Sequence, residues 1–244
     1  MTVTDVNVVK SAIFERPDDA NKGTLGSLLC VCGSYGMAGA AVMSAKGALR
    51  TGIGLAKCAL PRSIYPIVAQ TILESVYYPL SENADGRISK VNVPFLVSES
   101  CKSSATLVGC GLGVCDDTLK IVFSLIENST TPLVLDADAL NCVAKQPEIL
   151  LRKKAPIIIT PHPGEMSRLT GLATPLVNAE RERVALDFAQ KYGVVTVLKG
   201  AGTVIASPNG KVLVNPTGNS GMATGGSGDA VSYTHLRAHE TDSY

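Results

Sequence analysis

An aspartate closes a glycine-rich run, Asn215-Pro216-Thr217-Gly218-Asn219-Ser220-Gly221-Met222-Ala223-Thr224-Gly225-Gly226-Ser227-Gly228-Asp229. Gly221, Gly225, Gly226 and Gly228 leave backbone N–H groups bare, so a ligand can approach them without side chains in the way. Ser227 and Asp229 suit the first turn of a helix. Bare donors at a helix N-terminus bind anions. A carboxylate held there repels phosphate as a ligand. It serves instead as a base that takes the proton from a hydroxyl attacking phosphorus. The chemistry predicted for this stretch is phosphoryl transfer to an alcohol.

Other groups of chemical interest fall where strands end. Ser34-Tyr35-Gly36-Met37-Ala38-Gly39-Ala40-Ala41 follows the apolar run Ser27–Cys32, with GxxGxxG spacing rather than the GxGxxG of a dinucleotide fold. Two readings stay open for it, a backbone ligand site and glycines that merely permit tight helix–sheet packing. Cys110-Gly111-Leu112-Gly113 follows Ala105–Gly109, at the end of a strand where open α/β sheets place their ligands. Thr160-Pro161-His162-Pro163-Gly164-Glu165 follows Pro156–Thr160, and its prolines pin His162 and Glu165 at the same edge. Gly200-Ala201-Gly202-Thr203 turns the chain after Val194–Lys199.

Strands and helices must alternate to position these turns. The pattern predicts strands over 27–32, 55–60, 105–109, 132–136, 156–160 and 194–199, with 74–80 extended. Helices are predicted over 39–50, 64–70, 91–101, 119–127 and from 166, with a longer amphipathic helix over 178–192. In that long helix Val184, Leu186 and Phe188 lie on or near the inner stripe. Asp138 is expected to cap a helix from Ala139 to about Lys145. Pro208-Asn209-Gly210 between 204–207 and 211–214 reads as a β-hairpin. Residues 1–22 read as an N-terminal arm. The expected fold is α/β, a doubly wound, mostly parallel sheet flanked by helices in a single domain over residues 1–231.

Composition agrees with a buried sheet and tight βα turns: of 244 residues, 45% are hydrophobic and 23 are Gly, with no Trp. A net charge of +1 gives no reason to expect nucleic acid or an anionic membrane as partner. No apolar run approaches the ~20 residues needed to span a bilayer. The first ten residues lack a signal peptide's pattern, so a cytoplasmic protein is expected. Seven Cys without a CxxC read as free structural thiols. Ser232–Tyr244 carries neither helical nor strand periodicity and resembles translated sequencing-adapter read-through. It is expected to be foreign, which makes His235 and His239 a poor metal pair and leaves the domain incomplete at its C-terminus.

Taken together, the motifs resemble the ADP-dependent NAD(P)H-hydrate dehydratase family, a nucleotide-repair branch of the ribokinase-like fold. The match is carried by Gly36–Ala41, Val108–Gly113, Leu135-Asp136-Ala137-Asp138-Ala139-Leu140-Asn141, Thr160–Glu165, Leu198–Thr203 and Asn215–Asp229, in the family's order over about residues 22–231. TPHPGE together with the NPTGN…GGSGD loop is the specific part. Cys110 stands where the family usually has Pro, and the family continues past the aspartate with further apolar helices. The resemblance implies a lyase that phosphorylates the added hydroxyl of C6-hydrated NADH or NADPH with ADP or ATP, then expels phosphate. It implies Asp229 as the base and as a substrate contact, with Ala40, Gly111 and His162 also contacting the hydrated dinucleotide. Lys199, Gly200, Ala201, Gly202 and Thr203 would hold the nucleotide, Lys199 as counter-charge. Gly226, Ser227 and Gly228 would meet the transferring phosphoryl group. Mg²⁺ is the implied counter-ion, positioned through water by Glu165, with no metal ligands assigned. The family usually works beside an NAD(P)H-hydrate epimerase, and a homo-oligomer stays open.

Plainer roles remain for several of these residues: a turn histidine for His162, a helix-start acid for Glu165 or Asp229, a solvated strand end for Lys199. Two other functions also remain. A related kinase of a thiazole or pyrimidine alcohol would share the glycine loop and aspartate without needing TPHPGE. A nucleotide-binding fragment without turnover is the third reading.

Overall fold

The computed structural model describes residues 2–3, 18–219 and 221. Short apolar runs, each stopped by Gly, Pro or a polar residue, form the strands. They are β1 (Thr2–Val3), β2 (Ser27–Val31), β3 (Leu55–Pro61), β4 (Val76–Leu80) and β5 (Ala105–Val108). Then come β6 (Leu133–Leu135), β7 (Ile157–Ile159), β8 (Val195–Leu198), β9 (Thr203–Ala206) and β10 (Val212–Asn215). Among the described residues they make one sheet in the order β1-β10-β9-β8-β7-β6-β5-β2-β3-β4. From β4 to β8 every neighbouring pair is parallel, whereas β9 and β10 are antiparallel additions.

The chain runs from β2 outward to β4, returns to the other side of β2 as β5, and continues to β8. The order therefore reverses between β2 and β5. A crevice opens at such a switch point, outside the carboxyl ends of the strands. The glycine turns after β2 and β5 both lie there, tied by Gly33 N–H donating to the Cys110 carbonyl at 2.8 Å.

Side chains alternate across the pleat, so each strand feeds both faces. Leu29 and Val31 of β2 point to a large core shared with Leu96, Ile121, Met166 and Phe188. These come from helices α3 (Val93–Cys101), α4 (Asp116–Asn128), α6 (Pro163–Thr170) and α8 (Arg181–Tyr192). Leu28 and Cys30 point the other way, into the small side chains of α1 (Ala38–Thr51) and the Val68 side chain of α2 (Tyr65–Thr71). Helix α5 (Asp138–Val143) joins the first face, and α7 (Thr174–Ala179) precedes α8. All seven cysteines are free, five of them buried. No described helix is long and apolar enough to cross a membrane.

The doubly wound sheet and the hairpin turn at Gly210 match the sequence reading. Three local expectations fail. The predicted long helix over 178–192 is broken at Glu180, where φ −125° and ψ 41° end α7 and α8 begins. Asp138 does not cap its helix: Ala137 holds the cap position at φ 49°, and Asp138 Oδ2 instead accepts from Gly113 N–H at 2.8 Å. Within the expected N-terminal arm, Thr2–Val3 pairs with β10 as an edge strand. Residues 222–244, including the expected read-through segment, lie outside the described residues.

Candidate active site

The carboxyl ends of β2, β5, β6, β7 and β8 each deliver one predicted or chemically able group to the same edge. After β5, Gly109 takes φ 126°, and a Cβ there would overlap the Asp136 carbonyl oxygen. Only glycine allows the turns after β5 and β6 to pack so closely. Two residues on, Gly111 has φ 63°, and a Cβ on it would lie 2.7 Å from the Ala40 Cβ. The two predicted dinucleotide contacts, Ala40 and Gly111, are therefore neighbours. Both are buried. A Cβ on Gly36 or Gly39 would meet nothing within 4 Å, so tight packing does not account for those two glycines, whereas one on Gly33 would lie 2.8 Å from Ile64 Cδ1.

Asp136 directly follows β6 and is 1% exposed. Lys199, just after β8, reaches it with Nζ to Oδ1 at 2.7 Å. The Cys110 thiol faces the other oxygen at 3.7 Å. Lys199 is thus not a solvated strand end. Its ammonium is committed to a buried carboxylate, and its own N–H donates to the Pro161 carbonyl at 2.8 Å. Asp136 is the residue that sequence reasoning gave no role. The signal was there, a strand ending on a carboxylate, but its partner is 63 residues away.

His162 is the N-cap of α6. Its Nδ1 accepts from Gly164 N–H at 3.0 Å, while Glu165 Oε2 accepts from His162 N–H at 2.8 Å. This reciprocal pair is a capping box, with Pro163 pre-set for the first helical position. Glu165 is buried, and burial pushes its carboxyl above the ordinary value against the opposing pull of Lys199 and the His162 N–H. Burial holds the exposed-edged His162 imidazole below its ordinary value, and Lys199 and Arg168 push the same way. At neutral pH the imidazole is neutral, apt to hydrogen-bond rather than to pair with phosphate.

The Lys199–Thr203 loop turns at Gly200 (φ 151°) and Gly202 (φ 67°), and Thr203 Oγ1 donates to the Gly200 carbonyl at 3.0 Å. Ala201 and Gly202 line an open groove of about 610 Å³ together with Val204, Val214 and the chain from Asn178 to Arg183. Gly226, Ser227, Gly228 and Asp229 lie outside the described residues, so the structure does not place the predicted base or the phosphoryl donors. Among the described residues no group of three His, Cys, Asp or Glu side chains is arranged to hold a metal ion.

A family model described as NAD(P)H-hydrate dehydratase matches residues 28–232. The chain belongs to the NAD(P)H-hydrate dehydratase family. It is 41% identical over 216 residues to the bifunctional NAD(P)H-hydrate repair enzyme Nnr of Thermofilum pendens, a match covering 88% of this chain and 41% of that protein. It is 34% identical to the ADP-dependent (S)-NAD(P)H-hydrate dehydratase of Neisseria meningitidis, covering 88% and 70%. The chain thus spans about two fifths of the bifunctional relatives it matches and more of the single-function ones. The crystal structure of the Bacillus subtilis ADP/ATP-dependent NAD(P)H-hydrate dehydratase, co-crystallised with ATP and Mg²⁺, superposes with a TM-score of 0.78 at 30% identity, covering 95% of this chain and 79% of that one. A ribokinase-like superfamily protein of Enterococcus faecalis, 22% identical, shares the fold with a TM-score of 0.80, covering 95% and 77%. The architecture is ribokinase-like.

Proposed function

We propose that the protein returns the S form of NAD(P)H hydrate to NAD(P)H at the expense of ADP, giving AMP and phosphate. The reading is carried by one observation: in a member of this family, the Gly111 turn, His162 and the Lys199–Thr203 loop converge on the carboxyl edge of a sheet with its switch point beside them. ADP is chosen over ATP because the Neisseria relative is named ADP-dependent. The Bacillus enzyme is named for both nucleotides, so ATP is the other donor to test.

Hydroxide is a poor leaving group and phosphate a good one, so nucleotide chemistry precedes elimination. Asp229 removes the proton from the C6 hydroxyl, whose oxygen attacks the terminal phosphorus as AMP departs. N–H groups of Gly226, Ser227 and Gly228 take up charge developing on the transferred group. The C–O bond then breaks with electrons from the ring nitrogen, the adjacent carbon loses a proton, and the dihydropyridine is restored. Lys199 acts through its pair with Asp136, which fixes the start of the nucleotide loop; Gly200, Ala201, Gly202 and Thr203 line the nucleotide's path. Ala40, Gly111 and neutral His162 bound the dinucleotide's side.

Mg²⁺ bound to the phosphates would neutralise their charge. Mg²⁺ keeps several waters and needs only one or two carboxylates beside substrate phosphates. Glu165 would meet that ion through water. A cytoplasmic setting and a companion epimerase complete the proposal, the latter suggested by the bifunctional repair enzymes among the relatives. The test is incubation with hydrated NADH, ADP and Mg²⁺ while following absorbance of the reduced nicotinamide. Recovery of NADH with AMP release supports the dehydratase. A stable phosphoester with another alcohol would point to a kinase, and nucleotide uptake without conversion to a binding fragment.

A further inference from the structure

Arg181 begins α8, directly after the break at Glu180. Its guanidinium forms no ion pair within 4.0 Å among the described residues. Instead Nη2 donates to the Leu198 carbonyl at 2.8 Å. The Leu198 carbonyl and the Lys199 N–H belong to one peptide group, and that N–H donates to the Pro161 carbonyl at 2.8 Å. One peptide plane is therefore gripped at both ends, by Arg181 on one side and by the His162 turn on the other. Beyond it the guanidinium lies flush against Gly200: a Cβ there would fall 2.8 Å from Nη1 and 2.9 Å from Nη2. Nε is buried and has no hydrogen-bond partner among the described residues. Burying that N–H unmet costs stability rather than adding it. The return on that cost lies in geometry.

We propose that Arg181 is a positioning residue for nucleotide binding: by clamping the Leu198–Lys199 peptide and buttressing Gly200, it fixes the Lys199–Thr203 loop in the shape that receives the nucleoside diphosphate. The nucleotide half of this rests on the proposed dehydratase function. A fixed peptide plane sets both the direction in which Lys199 leaves toward Asp136 and the start of the turn at Gly200. The rigid planar fork is what the clamp uses, so lysine is no equivalent despite its charge.

The test compares wild type with Arg181→Met and Arg181→Lys. Amide hydrogen exchange is read in the nucleotide-free protein, alongside the KM for ADP and for the hydrate. In Arg181→Met the amides of Gly200–Thr203 are expected to exchange about tenfold faster, with exchange in the remaining strands unchanged. The KM for ADP rises about tenfold, a charge-assisted hydrogen bond's worth of loop order, while the KM for the hydrate stays within about twofold. Arg181→Lys falls between the two, keeping the bulk under Gly200 without the fork. Wild-type loop exchange and wild-type KM for ADP in Arg181→Met would overturn the proposal. So would a parallel drift of both KM values with exchange raised throughout, which would make Arg181 a helix-start residue only. If the wild type takes up no ADP, the dehydratase reading falls and the nucleotide half with it; the exchange measurement needs no nucleotide and still decides whether Arg181 holds the loop.

Discussion

Replacing Lys199 by Met removes the ammonium that faces Asp136 at 2.7 Å and leaves a carboxylate only 1% exposed. Taking one partner from a buried pair costs about 3–5 kcal/mol, because the remaining charge stays desolvated. Lys199 keeps 18% of its side chain exposed and Asp136 retains other contacts, including the Cys110 thiol, so the lower end applies, about 3 kcal/mol. For a chain of this size each kcal/mol moves the unfolding midpoint by roughly 2–4 °C, so the expected fall is about 6–12 °C. The double variant Asp136→Asn/Lys199→Met removes both charges and is expected to recover at least half of that loss. The assay is thermal unfolding followed by circular dichroism in the absence of nucleotide. A Lys199→Met midpoint within about 2 °C of wild type, or a double variant less stable than the single one, would refute the ion pair as the anchor of the Lys199–Thr203 loop.

Three further outcomes can be measured on other residues. Gly111→Ala places a Cβ 2.7 Å from that of Ala40 at φ 63°, so a loss of about 1–3 kcal/mol in denaturant unfolding is expected, with a raised KM for the hydrate and little change in that for ADP. The folded state holds the His162 imidazole below its ordinary value, so the unfolded chain binds the extra proton and stability falls as pH drops below about 6.5. His162→Gln should flatten that part of the pH–stability curve, and an unchanged slope would contradict the assignment. Asp229→Asn is expected to keep ADP affinity within a few-fold in calorimetry while losing the step that needs a base.

The sheet was legible because its strands are short apolar runs with hard stops. Ile157–Ile159 between Pro156 and Thr160, and the Pro208-Asn209-Gly210 turn, admit few other conformations. The failures share a cause, tertiary partners that no local pattern reveals. Asp138 carries every local mark of a helix cap, yet Gly113 N–H from another loop claims its carboxylate. The spacing over 178–192 suits one continuous helix, but Glu180 breaks it and Arg181 turns to a carbonyl 17 residues onward. Asp136 and Lys199 directly follow strands separated by β7, so their pairing emerges only once the strand order is known. At the site itself, the TPHPGE turn announced its prolines and its capping acid, and the structure gives Glu165 the cap that the plainer reading expected.

In the proposed reaction, Asp229 drives phosphoryl transfer from ADP to the hydrated nicotinamide. Single-turnover incubation of wild type and Asp229→Asn with ADP, Mg²⁺ and the S form of NADH hydrate tests it most directly, with NADH and AMP quantified together. Equal amounts of NADH and AMP are expected from the wild type and neither from the variant. NADH formed without AMP, or formed equally well by Asp229→Asn, would contradict it.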